Sequence, residues 1–206
     1  MGELVDVRGL VRRFGEREVI RGLDLQLSAG TRTALVGPNG SGKTTLLRCI
    51  AGTLTPDGGE VRIEGERAGT LAARRLVGTS LSQERSFYLR LSGRTNLRFF
   101  AQLRHARARD ARRDVAELEE ELELAEIASR RTDACSSGML QQLAFARALL
   151  GRPSVVLLDE PTRSLDDQAI GRIWAALDRR PEIAVLIATH RHDDLDRCDS
   201  RIDFPH

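Results

Sequence analysis

Apolar residues in this chain gather into two kinds of run. Thr33 to Val36, "SVVLL" ending at Leu158, and "IAVLIA" ending at Ala188 are short and lack polar alternation. Runs of that length with no polar face predict strands buried on both sides, as at the centre of a parallel sheet. Elsewhere the apolar spacing is three and four. Val115, Leu118, Leu122 and Ala125 predict one buried helical stripe, and Ile170, Ile173, Trp174 and Leu177 another, which places Trp174 in the core. "TTLLRCIAG" reads as a helix directly after the first strand, and "PDGGE" (56–60) as a turn into the strand "VRIEG". Strands alternating with helices predict an α/β fold.

Composition narrows this picture. A chain of 206 residues and 22.8 kDa suits one large domain, or one domain carrying a subdomain. Hydrophobic residues at 41% and charged residues at 30% place it among soluble globular chains and exclude a disordered one. The net charge of +2 gives no global reason to expect nucleic acid as a partner. The basic cluster "HARARDARR" (105–113) is followed at once by the acidic "ELEEELELAE" (117–126), so both read as solvated helix faces. Cys49, Cys135 and Cys198 are odd in number and share no metal-like spacing, which fits a reducing compartment and a packing role. No apolar run approaches the roughly 20 residues that span a bilayer, and "MGELVDVRGLVRR" lacks the apolar core of a signal peptide.

One compositional detail points to chemistry. Of 32 basic residues only Lys43 is a lysine. An ammonium is a compact point charge where a guanidinium is a planar fork, so a lone lysine in an arginine-rich chain suggests a site that needs the compact cation. Lys43 sits in Gly37-Pro38-Asn39-Gly40-Ser41-Gly42-Lys43-Thr44, between the predicted strand and helix. This is the G-x-x-x-x-G-K-[ST] pattern in the strand–loop–helix context it requires, and it predicts nucleotide binding. The glycines let backbone N–H groups face a phosphate chain, Lys43 reaches the β and γ phosphates, the Thr44 hydroxyl ligates Mg²⁺, and Thr45 can bond the α-phosphate.

"PSVVLLDEPT" supplies the complementary carboxylates. Asp159, at the C-terminal end of the strand, is expected to hold Mg²⁺, and Glu160 to polarise a water that attacks the γ-phosphate. A third polar stretch, "CSSGM" (135–139), opens a helical pattern near Met139. Free N–H groups and the positive dipole end of a helix favour an anion there, while a serine N-cap is the simpler structural role.

With these pieces in their order, the chain resembles the nucleotide-binding subunit of ATP-binding-cassette (ABC) proteins along nearly its whole length. Phe14 in "VRRFGEREVIRGLDL" matches the aromatic that stacks on adenine, and residues 37–44 match the phosphate loop. Gln83 in "SLSQERS" matches the glutamine that senses Mg²⁺ and the attacking water. "CSSGM" matches the signature loop, Asp159 and Glu160 the strand-end pair, "SLD" (164–166), with Asp166, the loop that follows, and His190 in "LIATH" the switch histidine. The resemblance implies Mg²⁺-dependent ATP hydrolysis and head-to-tail pairing of two chains. Ser136 and the N–H groups around Gly138 would then meet the γ-phosphate of a partner's ATP. The signature departs from the common LSGGQ: Cys135, Ser137 and Met139 replace Leu, Gly and Gln, Leu140 and Gln142 stand where arginines are frequent, and the S-S-G-M form looks like that of exporter subunits.

The resemblance implies three parts in one ABC ATPase domain. Residues 1–30 and 58–66 supply antiparallel strands around the adenine, 31–57 and 150–206 the phosphate-loop core, and about 86–148 an inserted helical subdomain. It further implies a second nucleotide-binding subunit, identical or different, and a separate transmembrane permease, with this chain on the cytoplasmic face of the cell membrane and no nucleic acid bound. Ser86 to Arg90, with Phe99 and Phe100, are the expected docking surface, and the short C-terminus leaves no room for a regulatory domain. The alternatives are a soluble ABC ATPase acting in DNA maintenance or translation, and a subunit that binds ATP without turnover. "THRHDDLD" carries the H-x-H-x-D spacing of a dinuclear metal hydrolase at His190, His192 and Asp194. Its position after an apolar strand favours the switch, with His192, Asp193 and Asp194 as the exposed start of the next helix.

Overall fold

The computed structural model describes residues 2–81 and 87–204, so Gln83 and Ser86 lie outside the described residues. Two sheets organise the chain. The first joins β1 (Glu3–Phe14), β2 (Arg17–Ser28), β4 (Gly58–Ile63) and β5 (Glu66–Arg67) in the order β2-β1-β4-β5, antiparallel throughout. The second is parallel, in the order β6-β7-β8-β3-β9, formed by β3 (Arg32–Val36), β6 (Val77–Ser80), β7 (Val155–Asp159), β8 (Ala184–Ala188) and β9 (Ser200–Asp203). This is the α/β fold the patterning predicts.

The unbroken apolar runs have a direct cause. Every residue of β7 and of β8 is buried, and the two faces of these strands serve two different cores. Val155, Leu157, Ala184 and Leu186 pack with α1 (Lys43–Ile50) and the antiparallel sheet. Val156, Leu158, Val185 and Ile187 pack with the helices α3 (Gly93–Gln102), α4 (Ala108–Glu121), α6 (Ser137–Leu149) and α7 (Asp167–Asp178). A side-chain period of two therefore appears in the packing while the sequence shows no polar alternation. Trp174, on α7, is 1% exposed, as expected of its helical spacing.

Two readings of the pattern need correction. The stripe through Val115, Leu118 and Leu122 is buried, but Ala125 is exposed. Helix α4 ends at Glu121 and Glu123 adopts a left-handed φ of 54°, so the next helix, α5 (Ala125–Ser129), starts on a new axis and buries Leu124 and Ala128 instead. The second concerns α8 (His192–Leu195). His192 and Asp193 are exposed, but Asp194 is fully buried, because two threonine hydroxyls from neighbouring loops converge on its carboxylate. One boundary also shifts: α6 begins at Ser137, two residues before Met139.

Candidate functional site: a phosphate-binding cleft

The loop 37–42 leaves β3 at the C-terminal edge of the parallel sheet and turns into α1. Gly42 occupies the N-cap position with φ 114°, where a Cβ would lie 2.7 Å from Val19 Cγ1, so only glycine fits. Among the described residues no side chain caps α1, and no acidic residue stands in its first turn. Its unsatisfied N–H groups and positive dipole end are thus left for an anion. Ser41 Oγ is buried without a hydrogen-bond partner among the described residues, a polar atom that a bound phosphate would satisfy.

Lys43 is 8% exposed, and its ammonium donates to the carbonyls of Gly37 at 2.6 Å and Pro38 at 2.9 Å. It is strung across its own loop, and among the described residues these two carbonyls take two of its three N–H donors. Burial lowers its pKa, while the carboxylates of Glu160 and Asp159 oppose that shift. The Thr44 hydroxyl donates to Asp159 Oδ2 at 2.8 Å, and Asp159 is 4% exposed. One hydroxyl and one carboxylate side by side form an oxygen donor set that suits Mg²⁺, a hard cation that keeps several of its own waters.

Glu160 follows with a left-handed φ of 51°, and its N–H donates to Ala188 O at 2.8 Å. That turn separates its carboxylate from the direction of Asp159. Burial pushes the Glu160 carboxyl above the usual range, Asp159 adds to that, and His190, Lys43 and Arg163 pull it back. His190 Nε2 lies 3.7 Å from Glu160 Oε1 and 3.1 Å from Asn39 Oδ1, the latter a hydrogen bond when Nε2 carries the proton. Phe14, half exposed, stacks one ring face on the Arg12 guanidinium at 4.7 Å. Arg12 in turn is held by Asp57 and the Thr55 carbonyl, each at 3.1 Å.

Phe14, Asn39, Gly40, Gly42, Lys43, Thr44, Thr45, Asp159, Glu160 and His190 line one cleft of about 920 Å³, with Arg163 and Arg191 at its wall. Gly37 and Pro38 stand behind it as acceptors for Lys43. Of the loop 164–166, Ser164 also lines the cleft, while Asp166 and the signature residues Ser136 and Gly138 do not. Ser136 is exposed and caps α6, its Oγ accepting from Met139 N at 3.3 Å, so the capping role suggested by its sequence is real in the single chain. A Cβ on Gly138 would stand 2.7 Å from Ser164 O, and Asp166 caps α7 by accepting from Ala169 N at 2.7 Å. His192 points to solvent while Asp194 is buried, so "THRHDDLD" does not gather its three side chains around one point. Sequence reasoning missed Arg12 behind the aromatic, whose signal was a basic residue two positions earlier on the same strand face. It also misplaced Asp194, which the polar run made an exposed residue and the structure buries completely.

A family model described as ABC transporter matches residues 20–163. The daunorubicin resistance ATP-binding protein DrrA3 of Streptomyces coeruleorubidus is 34% identical over 204 residues, 96% of this chain and 64% of that one. Nod factor export ATP-binding protein I of Burkholderia orbicola is 36% identical over 202 residues, 95% of this chain and 66% of that one. The chain thus spans somewhat under two thirds of the length of DrrA3. Among solved structures, the ATP-binding cassette MJ0796, a dimer in a post-hydrolysis state with ADP and Pi, superposes with a TM-score of 0.88 at 24% identity, covering 98% of this chain and 94% of that one.

Proposed function

The chain belongs to the ABC transporter family, and on that footing we propose that it is the ATP-hydrolysing, nucleotide-binding subunit of an exporter, driving transport by ATP-dependent closure of two such subunits. The observation that carries this reading is the convergence, in one cleft, of Lys43 on the phosphate loop, the Thr44–Asp159 pair, and Glu160 beside His190. The free N–H groups of α1 and the Lys43 ammonium receive the phosphates of MgATP, and Phe14 receives the base on the ring face that Arg12 leaves open. Thr44 and Asp159 hold the Mg²⁺ of the substrate, with Gln83 expected beside them; the ion neutralises charge on the phosphate oxygens. Glu160, buried enough to be a stronger base than an exposed carboxylate, accepts the proton of the attacking water, and His190 donates toward the γ-phosphate.

Ser136 and Gly138 complete the site of a second subunit, and Asp166 lies in the loop between the two sites. The dimeric state of MJ0796 supports that pairing. Among the described residues no helix is long and apolar enough to cross a membrane. The work is done on a separate permease, from the cytoplasmic face of the membrane, as the likeness to transporter ATP-binding proteins supports. Tyr88, Leu89 and Phe99, all exposed, offer that permease an apolar face. The relatives named for daunorubicin resistance and Nod factor export support the outward direction.

Turnover of purified protein tests the enzyme. Glu160→Gln is expected to lose ATP hydrolysis by about a hundredfold or more while still binding ATP, since removing a positioned base costs about 10²–10⁴ in rate. Wild type that is as inert as the mutant, with its permease present, would overturn the reading. Transport is tested by capturing tagged Glu160→Gln protein from gently solubilised cells with MgATP. A multi-spanning membrane protein in near-equal amount supports it, and recovery with DNA or ribosomes from the soluble fraction sinks it.

A further inference from the structure

The cleft accounts for Glu160 and His190 but not for what holds them together. They leave different strands, β7 and β8, and each is followed or preceded by a threonine. Thr162 stands two residues after Glu160, and Thr189 immediately before His190. Both threonines are 0% exposed, and both hydroxyls donate to one oxygen of Asp194, Thr162 at 2.7 Å and Thr189 at 2.8 Å. The Thr189 hydroxyl also accepts from Arg191 N at 3.1 Å, so the backbone on the far side of His190 belongs to the same network. Asp194 is itself 0% exposed, and its other oxygen is buried with no hydrogen-bond partner among the described residues.

Burying a carboxylate with one oxygen unsatisfied is costly, and an apolar residue of similar size would avoid that cost if Asp194 only filled space. What the carboxylate provides is a single acceptor shared by the two strand-end loops. The Glu160 N–H to Ala188 carbonyl bond at 2.8 Å and the left-handed turn at Glu160 join the same two loops from the backbone side. Between these ties, Glu160 Oε1 and His190 Nε2 stand 3.7 Å apart.

We propose that Asp194 is a positioning residue for the hydrolytic step, setting Glu160 against His190 through Thr162 and Thr189. It touches neither nucleotide nor water; it acts through the loops. The proposal rests on the ATPase reading above and extends it by one residue outside the cleft. Because binding of MgATP depends on the phosphate loop and the chemistry on this spacing, the effect belongs in kcat and not in KM.

The test uses the full chain and a matched set of variants. Asp194→Leu, close in shape but without an acceptor, is expected to lower kcat by about a hundredfold, the scale of a misplacement near 1 Å, with KM for ATP unchanged. Asp194→Asn keeps one carbonyl acceptor and is expected to retain most of the wild-type kcat. Should Asp194→Leu fail to fold, the same contrast is read between Thr162→Val, which loses the donor, and Thr162→Ser, which keeps it. Crystal structures supply a readout that needs no turnover: the Glu160–His190 approach is expected to open in Asp194→Leu or Thr162→Val and to persist in the conservative variants. Unchanged kcat, a loss confined to KM, an Asn variant as impaired as Leu, or an undisturbed approach would each overturn the positioning role. An inactive wild type would overturn the ATPase reading and leave the crystallographic arm standing.

Discussion

Glu160 shows how a single carboxyl carries both function and a stability cost. Burial, with Asp159 beside it, raises its pKa above the ordinary 4.5, so the folded chain holds this proton more tightly than the unfolded one. The sign follows from linkage. Stability is greatest where both states are protonated, below the unfolded value, and is lost as pH rises through the folded one. Glu160→Gln mimics the protonated form. The nucleotide-free mutant is therefore expected to melt at a higher temperature than wild type at neutral pH, with the gap closing below pH 4.5, as scanning calorimetry at several pH values would show. The same raised pKa sets the acid limb of ATP hydrolysis above the usual carboxylate range, because the base must be deprotonated to accept a proton. A nucleotide-free mutant no more stable than wild type at neutral pH would count against the buried, charged Glu160.

At the scale of elements, two glycines in regular structure separate packing from propensity. Gly78 lies in β6, where an added Cβ would sit 1.8 Å from Ala148 O, at the end of α6. Backbone cannot move aside as a side-chain tip can, so Gly78→Ala must part the strand from the helix. It is expected to cost at least about 1–3 kcal/mol and to lower Tm. Gly171 lies in α7, exposed, with nothing within 4 Å of its added Cβ. Gly171→Ala is expected to gain up to about 1 kcal/mol from helix propensity and a less flexible unfolded chain. Denaturant melts of the two variants should move in opposite directions, and movement in the same direction would refute the packing account of Gly78. Neither effect is legible in the sequence, since both positions are a glycine inside a regular run. What differs is the neighbour, and that comes from the β6–α6 contact. The break after α4 has the same character: the stripe through Leu122 continues on paper to Ala125, but the left-handed turn at Glu123 ends it.

On the scale of the molecule, the helices beyond the sheet are fastened to the core by charge as well as by packing. Glu121, at the end of α4, accepts from Arg180 at 2.6 and 2.7 Å and from Arg179 at 3.0 Å. These hydrogen bonds, that of Arg180 foremost, hold its carboxyl below the usual range despite partial burial. Ser136 and Gly138 sit at the start of α6 and do not themselves line the chain's own cleft, and Gly138 stands close to the carbonyl of Ser164, which does. On the proposed function their ligand lies in another copy or a related subunit. Glu160→Gln protein with MgATP is therefore expected to elute as a dimer in size-exclusion chromatography. Ser136→Arg on that background should elute as a monomer while still binding ATP, with an affinity lowered only by the loss of the dimer; a dimer that survives Ser136→Arg would exclude the signature loop from the interface.

Local pattern alone was enough to determine the buried strands β3, β7 and β8, the strand β4, the helices α1, α4, α6 and α7, the phosphate loop and the strand-end carboxylates. Each depends on neighbours within one or two turns of chain, where periodicity and backbone conformation act. The strand order β6-β7-β8-β3-β9 is of another kind, because it places β7 and β3 on either side of β8 and brings distant loops to one edge. Thr44 meets Asp159, and His190 meets Asn39, only through that order. Asp194 marks the limit most clearly. In the sequence it is one acid in a polar run, marked only by an H-x-H-x-D spacing, and it reads as exposed like Asp193 beside it. The Thr189 hydroxyl that buries it is only five residues away, but the Thr162 hydroxyl comes from the loop after β7, 32 residues distant, and only long-range packing brings it there.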